Sequence, residues 1–95
     1  MPKKLEKEIE GYLVKQCKKM GLLTYKFSSP SNRGVPDRIV IGGGKVCFFE
    51  LKRPGEVLRP LQKHIKQKFE QQGTTVYVAD SYELVDLFLD RYFIR

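Results

Sequence analysis

With 95 residues, 41% hydrophobic and 31% charged, the chain can bury one small core and is too apolar to stay disordered. Eighteen Lys and Arg against eleven Asp and Glu leave a net charge of +7, which favours a polyanionic partner. No apolar run approaches a membrane span, two cysteines make no disulfide framework, and Met1-Pro2-Lys3-Lys4 leads into a charged segment rather than a signal peptide's apolar stretch.

The expectation is one domain over 1–95 with no membrane partner, staying in the cytoplasm, or the host cytoplasm if the source is viral. Leu5, Ile9, Leu13, Cys17 and Met20 recur at helical spacing, with lysines on much of the opposite side, and Gly21 is a natural stop. Leu22 to Phe27 then reads as a strand, ended by a polar loop from Ser28 to Gly34. Asp37–Ile41 and Lys45–Leu51 read as two more strands, joined by Gly42-Gly43-Gly44, whose glycines suit the positive φ angles of a tight hairpin. The second of these is apolar on both faces through its middle, which predicts a central, doubly covered strand.

Arg53-Pro54-Gly55 breaks that strand, and a helix is expected from Pro60, where proline is tolerated, to Gly73, with Leu61, Ile65 and Phe69 on one face. Thr74–Val78 is a fourth strand by composition. A last helix begins near Ser81, capped by Asp80 or Ser81, with Leu84, Val85, Phe88, Leu89 and Tyr92 on its apolar side. The order is αβββαβα, and the passage from Lys45 to Val78 should form a parallel crossover in a mixed sheet. Cys17 and Cys47 lie in apolar contexts and read as reduced core residues.

The chemistry concentrates in Gly34-Val35-Pro36-Asp37 and Glu50-Leu51-Lys52. Singly, each acid has a bland reading, as a turn residue or a solvated strand end. Paired across a short hairpin, their strand ends lie side by side about 5 Å apart, close enough for both carboxylates to share one Mg²⁺ or Mn²⁺. Glu50 and Lys52 share a strand face, so an ammonium would stand beside the acids, where it could orient water or offset transition-state charge. Hard oxygen ligands plus a cation are what phosphodiester hydrolysis requires.

Those residues resemble the signature of the PD-(D/E)xK nuclease superfamily. The longer strings Arg33-Gly34-Val35-Pro36-Asp37-Arg38, Phe49-Glu50-Leu51-Lys52-Arg53-Pro54-Gly55 and Arg59-Pro60-Leu61-Gln62 look like the VRR-NUC family of virus-type replication and repair nucleases. The resemblance runs from Ile9 to about Val78. It implies a restriction-endonuclease-like αβββαβ core, a mixed sheet flanked by helices, here extended by a C-terminal helix. It also implies Mg²⁺- or Mn²⁺-dependent DNA cleavage in which Asp37 and Glu50 bind the ion and Lys52 assists the water, with a Glu from the first helix and a Gln from the second, which falls on Gln62. For the helical acid Glu10, at the margin of the apolar stripe, is chosen, with Glu6 one turn earlier as its rival and Glu8 pointing away.

Lys26, Arg33, Arg38, Arg53 and Arg59, with Ser29 and Asn32, flank this site in sequence and are expected to hold the DNA backbone. The lone histidine, His64, lies among lysines and reads as a surface residue. No helix-turn-helix, zinc finger or aromatic stacking motif stands out, so recognition of DNA structure, or no selectivity at all, is expected over base reading. Stand-alone members of the family resemble Holliday-junction resolvases, which implies a homodimer acting on branched DNA in replication, recombination or repair. The apolar Leu87-Phe88-Leu89 and Tyr92-Phe93-Ile94 are the candidate two-fold surface. Two rival expectations are a noncatalytic nucleic-acid-binding module of the same fold and a nuclease subunit that acts only with a partner.

Overall fold

The computed structural model describes residues 5–94; Met1-Pro2-Lys3-Lys4, where no signal peptide is expected, lies outside the described residues. Helix α1 (Glu6–Met20) leads to strand β1 (Leu23–Lys26), the hairpin β2 (Arg38–Gly42) and β3 (Lys45–Leu51), helix α2 (Pro60–Gln71), strand β4 (Thr75–Ala79) and helix α3 (Tyr82–Leu89). A π-helical turn, Asp90–Ile94, follows α3. The four strands form one sheet in the order β1-β2-β3-β4. The first two pairings are antiparallel and β3 with β4 is parallel, which gives the mixed sheet that the αβββαβα order implies.

Local chemistry explains the element ends. Gly21 closes α1 at φ 74°, a left-handed conformation that costs a residue without Cβ little. Gly43 and Gly44, at φ 56° and 78°, form the two-residue turn of the β2–β3 hairpin. Ser81 caps α3 by accepting a hydrogen bond from the Leu84 amide at 3.1 Å, which decides between it and Asp80. Strand β1 stops one residue short of the expected range at each end, although the Phe27 amide still donates to the Asp37 carbonyl at 2.8 Å.

Strand alternation divides the molecule into two packed layers. Val40, Cys47, Phe49, Leu51 and Ala79 face Ile9, Leu13 and Cys17 of α1 and Val85 and Leu89 of α3, and together they make the core. Burying five to ten such side chains supplies most of the stability, at roughly 1.5–3 kcal/mol each before conformational entropy. Phe48, Glu50 and Lys52 point to the opposite face, where α2 meets them through Phe69 and Gln62. The two cysteines are buried as free thiols, with burial pushing Cys17 up to about 11 and Cys47 to about 12. They are inert at neutral pH.

The C-terminal apolar residues are largely absorbed by this core. Leu89 is buried, Phe88, Tyr92 and Phe93 pack against it, and only Leu87 and Ile94 of the six stay exposed. A two-fold surface of the expected extent is therefore not left on this helix. More apolar area stands open on the α2 side of the sheet, at Leu23, Tyr25 and Val46. No helix of the described residues is long and apolar enough to cross a membrane.

Candidate active site

Asp37 stands immediately before β2, where the ladder gives way to the polar loop. Its amide donates to the Phe49 carbonyl at 3.0 Å, and its carbonyl accepts from Phe27. Its side chain substitutes for a missing ladder acceptor, because Oδ2 takes the Leu51 amide at 2.8 Å. Three neighbouring backbones thus fix one carboxylate, and Asp37 adjoins Glu50 across the β2–β3 pair.

Glu50 is 4% exposed, deep on β3, and its Oε2 accepts a hydrogen bond from Gln62 Nε2 at 2.8 Å. Gln62 is itself 7% exposed and cannot flip, since its Oε1 accepts the Arg59 amide at 2.9 Å at the start of α2. A helix-start hydrogen bond of the capping type therefore orients the amide that orients the acid. Gly34 makes this approach possible: a Cβ there would meet Leu61 Cγ at 3.0 Å, and φ is 87°. The loop and α2 close around a cleft of about 390 Å³ lined by Arg33, Gly34, Arg59, Pro60, Leu61 and Gln62.

Lys52 continues the ladder past β3, donating its amide to the Ala79 carbonyl at 3.0 Å, so its side chain shares the face of Glu50. It is 4% exposed, yet its ammonium makes no hydrogen bond or ion pair among the described residues. Its charge still reaches Glu6, Asp37, Glu50 and Glu56. No buried side-chain nitrogen or oxygen of the described residues lacks a hydrogen-bond partner, so the unbonded Lys52 ammonium itself reaches solvent at the site while its stem is buried.

The carboxylates register the same crowding. Burial, then the charge of Asp37, pushes Glu50 up to about 8, with Lys52 offsetting part of the rise. Burial also raises Asp37, against the lowering effect of the Leu51 amide. Glu6 is raised by burial and then by Asp37. Like charges that resist ionising together are what a divalent cation relieves.

The two candidate helical acids differ in their partners. Burial raises Glu10, but hydrogen bonds from Lys26 Nζ (2.9 Å) and Arg38 Nη1 (3.1 Å) overcome it and leave its carboxyl below the usual range. Both cations bind the same oxygen, Oε2. Among the described residues no group of three or more His, Cys, Asp and Glu is arranged to enclose an ion. Glu10 accepts from two cations on paired positions of β1 and β2 while its charge also raises Asp37, and Glu6 is coupled to both Asp37 and Glu50.

Two carboxylates still suit the metal. Mg²⁺ keeps several waters and is commonly held by one or two acids plus substrate phosphate. Asp37 and Glu50 each commit one oxygen to a hydrogen bond within the described residues and keep the other for such a ligand. The donor set therefore fits a hard cation, and a softer metal lacks the sulfur or imidazole it would want.

The flanking cations separate into two kinds. Arg38 is 13% exposed at its side chain, bound to Glu10 and to Thr24 Oγ1. These two bonds brace α1 on the sheet. Lys26 pairs with Glu10 but is 73% exposed, and Arg53 pairs loosely with Glu56 at 3.6 Å. Arg33 and Arg59 border the cleft beside Gln62. Ser29 and Asn32 bond each other within the loop at 3.4 Å. His64 is exposed on α2. One feature had no signal in sequence: Phe27, Phe48 and Phe69, far apart in the chain, meet edge to face, with ring centroids of Phe27 and Phe48 4.9 Å apart.

The chain is 44% identical over 80 residues to "Putative nuclease p44" of Acyrthosiphon pisum secondary endosymbiont phage 1, an alignment covering 83% of this chain and 86% of that protein. A solved structure titled "VRR_NUC domain" superposes with a TM-score of 0.85 at 27% identity, covering 93% of this chain and 97% of the other. No family model matches the sequence.

Proposed function

The chain belongs to the VRR-NUC family of nucleases, and from that membership we propose that it is a Mg²⁺- or Mn²⁺-dependent endonuclease acting on branched DNA in replication, recombination or repair, in the cytoplasm where it is made. The observation that supports this best is the pairing of two half-committed carboxylates, Asp37 and Glu50, with a Lys52 ammonium whose charge reaches both and which bonds to neither. A binding-only module has no use for two acids and a lysine set on one face in this way.

Bound by Asp37 and Glu50, a divalent cation supplies Lewis-acid charge to the phosphate and makes water acidic enough to attack at neutral pH. Gln62 keeps Glu50 turned to the site and Leu51 does the same for Asp37. Lys52 offers positive charge where the phosphate gathers negative charge, inside a site largely closed to water. Glu6, whose charge couples to Asp37 and Glu50, is the acid of α1 that would orient a water there. Arg33 and Arg59, with Lys26 and Arg53 further out, hold neighbouring phosphates without reading sequence.

The roles assigned to the two helical acids separate under substitution. Glu6→Gln is expected to slow cleavage about 100-fold with little change in unfolding midpoint. Glu10→Gln is expected to cost about 1–3 kcal/mol of stability, because Arg38 loses its buried partner, and to slow cleavage far less. Urea melts and cleavage rates of the same two proteins decide it; the opposite pattern returns the metal-site role to Glu10.

A homodimer follows from the substrate, since a four-way junction needs two matched cuts. Labelled four-way junction, flap, linear duplex and single strand, each with Mg²⁺, Mn²⁺ or chelator, test the whole reading. Paired cuts in branched DNA that vanish with chelator, and a dimeric mass by sedimentation, are expected. Uncut DNA in every divalent metal, with or without added host extract, contradicts it, whereas activity only with extract identifies a subunit that needs a partner.

A further inference from the structure

Beside the acids, on the same sheet face, lies a groove of about 390 Å³ lined by Phe27, Phe48, Lys68, Phe69, Gln72 and Thr74. Its walls are mostly apolar, and its three phenylalanines come from β1's end, β3 and α2. They pack edge to face, with Phe48 and Phe69 centroids 5.1 Å apart. This is a rigid aromatic surface that reaches solvent, since Phe27 and Phe69 are only half-buried.

Its position ties it to the reaction centre in two ways. Phe48 precedes Glu50 by two residues on one strand face, about 7 Å along β3. Phe27 donates its amide to the carbonyl of Asp37 at 2.8 Å. The groove therefore starts at the next side chain of the same face from Glu50 and on the strand beside Asp37. A strand whose phosphate sits at Asp37 and Glu50 carries its next base within reach of these rings.

We propose that the groove receives one unpaired nucleobase of the bound DNA strand, taken out of the stack next to the cleaved bond. Aromatic edges and faces stack bases without regard to sequence. Lys68 stands on its rim, makes no ion pair among the described residues, and offers charge to the phosphate that follows that base. A base inside a continuous duplex must be unstacked before it can enter, whereas one at a branch point or flap is already free. The groove thus gives a physical source for selecting branched DNA. This inference rests on the nuclease reading for its placement, but it predicts binding rather than cleavage.

The test is binding measured in chelator, so that no strand is cut. Fluorescein-labelled duplexes carry either one unpaired thymine or an abasic nucleotide at the same place, and a continuous duplex serves as reference. Wild type is expected to bind the unpaired base about 10-fold more tightly than its abasic counterpart. Phe69→Leu, which keeps an apolar side chain, is expected to bring that ratio close to one. Lys68→Glu, on the exposed side of α2, needs no core rearrangement and keeps the test open if Phe69→Leu does not fold. It is expected to weaken the unpaired-base duplex at least 5-fold and the continuous duplex less than 2-fold.

A ratio near one in wild type overturns the inference, as does a ratio that survives Phe69→Leu, or an equal loss on both duplexes with Lys68→Glu. The outcome is separable from the function itself. Metal-dependent cleavage with no base preference removes the groove alone, and a base preference with no cleavage removes the nuclease alone.

Discussion

Lys52→Met is expected to lower the cleavage rate about 10³-fold while leaving the fold about as stable as before. The substitution keeps the length and apolar stem of a side chain that is 4% exposed and removes only its charge. Removing one preorganised charge from a water-poor site typically costs 10²–10³-fold in rate, and this one also lowers Glu50 and Asp37, so its loss pushes both acids further from ionisation. Stability should not follow activity down, because the ammonium makes no ion pair among the described residues and Met keeps the packing of the buried stem. Single-turnover cleavage and thermal melts of the same preparation check both halves. If Lys52 were only a structural ion-pair partner, both quantities would fall together.

The second large effect is a dependence of stability on pH in metal-free protein, carried chiefly by Glu50. Its carboxyl sits at about 8 in the folded state against an ordinary 4.5. Between those values the folded protein holds a proton that the unfolded chain has released, so stability falls as pH rises from about 4.5 to about 8 and levels off above. A displacement of that size corresponds to something on the order of 5 kcal/mol. Glu50→Gln, which stays neutral and still accepts from Gln62, is expected to remove most of that decline and to be more stable than wild type at pH 9. Asp37 and Glu6 are raised as well and leave a smaller slope of the same sign. Adding Mg²⁺ to wild type should reverse the trend, stabilising most at high pH and releasing protons on binding near pH 7. Urea melts from pH 5 to 9, with and without Mg²⁺, measure it, and a wild-type profile that matches Glu50→Gln would leave no room for a buried acid awaiting a cation.

How far the sequence could carry this depended on whether a residue's role is local. The hairpin of β2 and β3 was legible because two glycines fix the turn and a two-residue turn fixes the register, which brings Asp37 to Glu50 without any other knowledge. The parity of Glu50 and Lys52 followed from strand geometry alone. Gln62 was assigned to the site by family resemblance, but its grip on Glu50 depends on the capping geometry of α2 with Arg59, which only the folded chain displays.

Glu10 against Glu6 turned on a pairing that no local pattern announces. Strands β1 and β2 are joined by a loop of no standard turn, so the pairing of Lys26 with Arg38 is set by tertiary packing. Glu10 on α1 lies where its Oε2 can accept from both cations, a bracing role that the helical pattern alone does not display. The C-terminal residues Phe88, Tyr92 and Phe93 read as surplus apolar surface because the sequence cannot show that the end of α3 and the π-helical turn set Phe88 and Tyr92 against Tyr77 and Phe93 against the core. Phe27, Phe48 and Phe69 went unnoticed for the converse reason: three scattered aromatics become a surface only when β1, β3 and α2 are brought together.

All of this rests on Asp37 and Glu50 holding one divalent ion between them, beside Lys52. Crystals soaked in manganese and measured at a wavelength where manganese scatters anomalously show directly where the ion sits. One peak bonded to an oxygen of Asp37 and an oxygen of Glu50 is the expected result, lost in crystals of Asp37→Ala. A difference map that is flat between the two carboxylates, or a manganese ion bound only elsewhere on the protein, would contradict the account at its root.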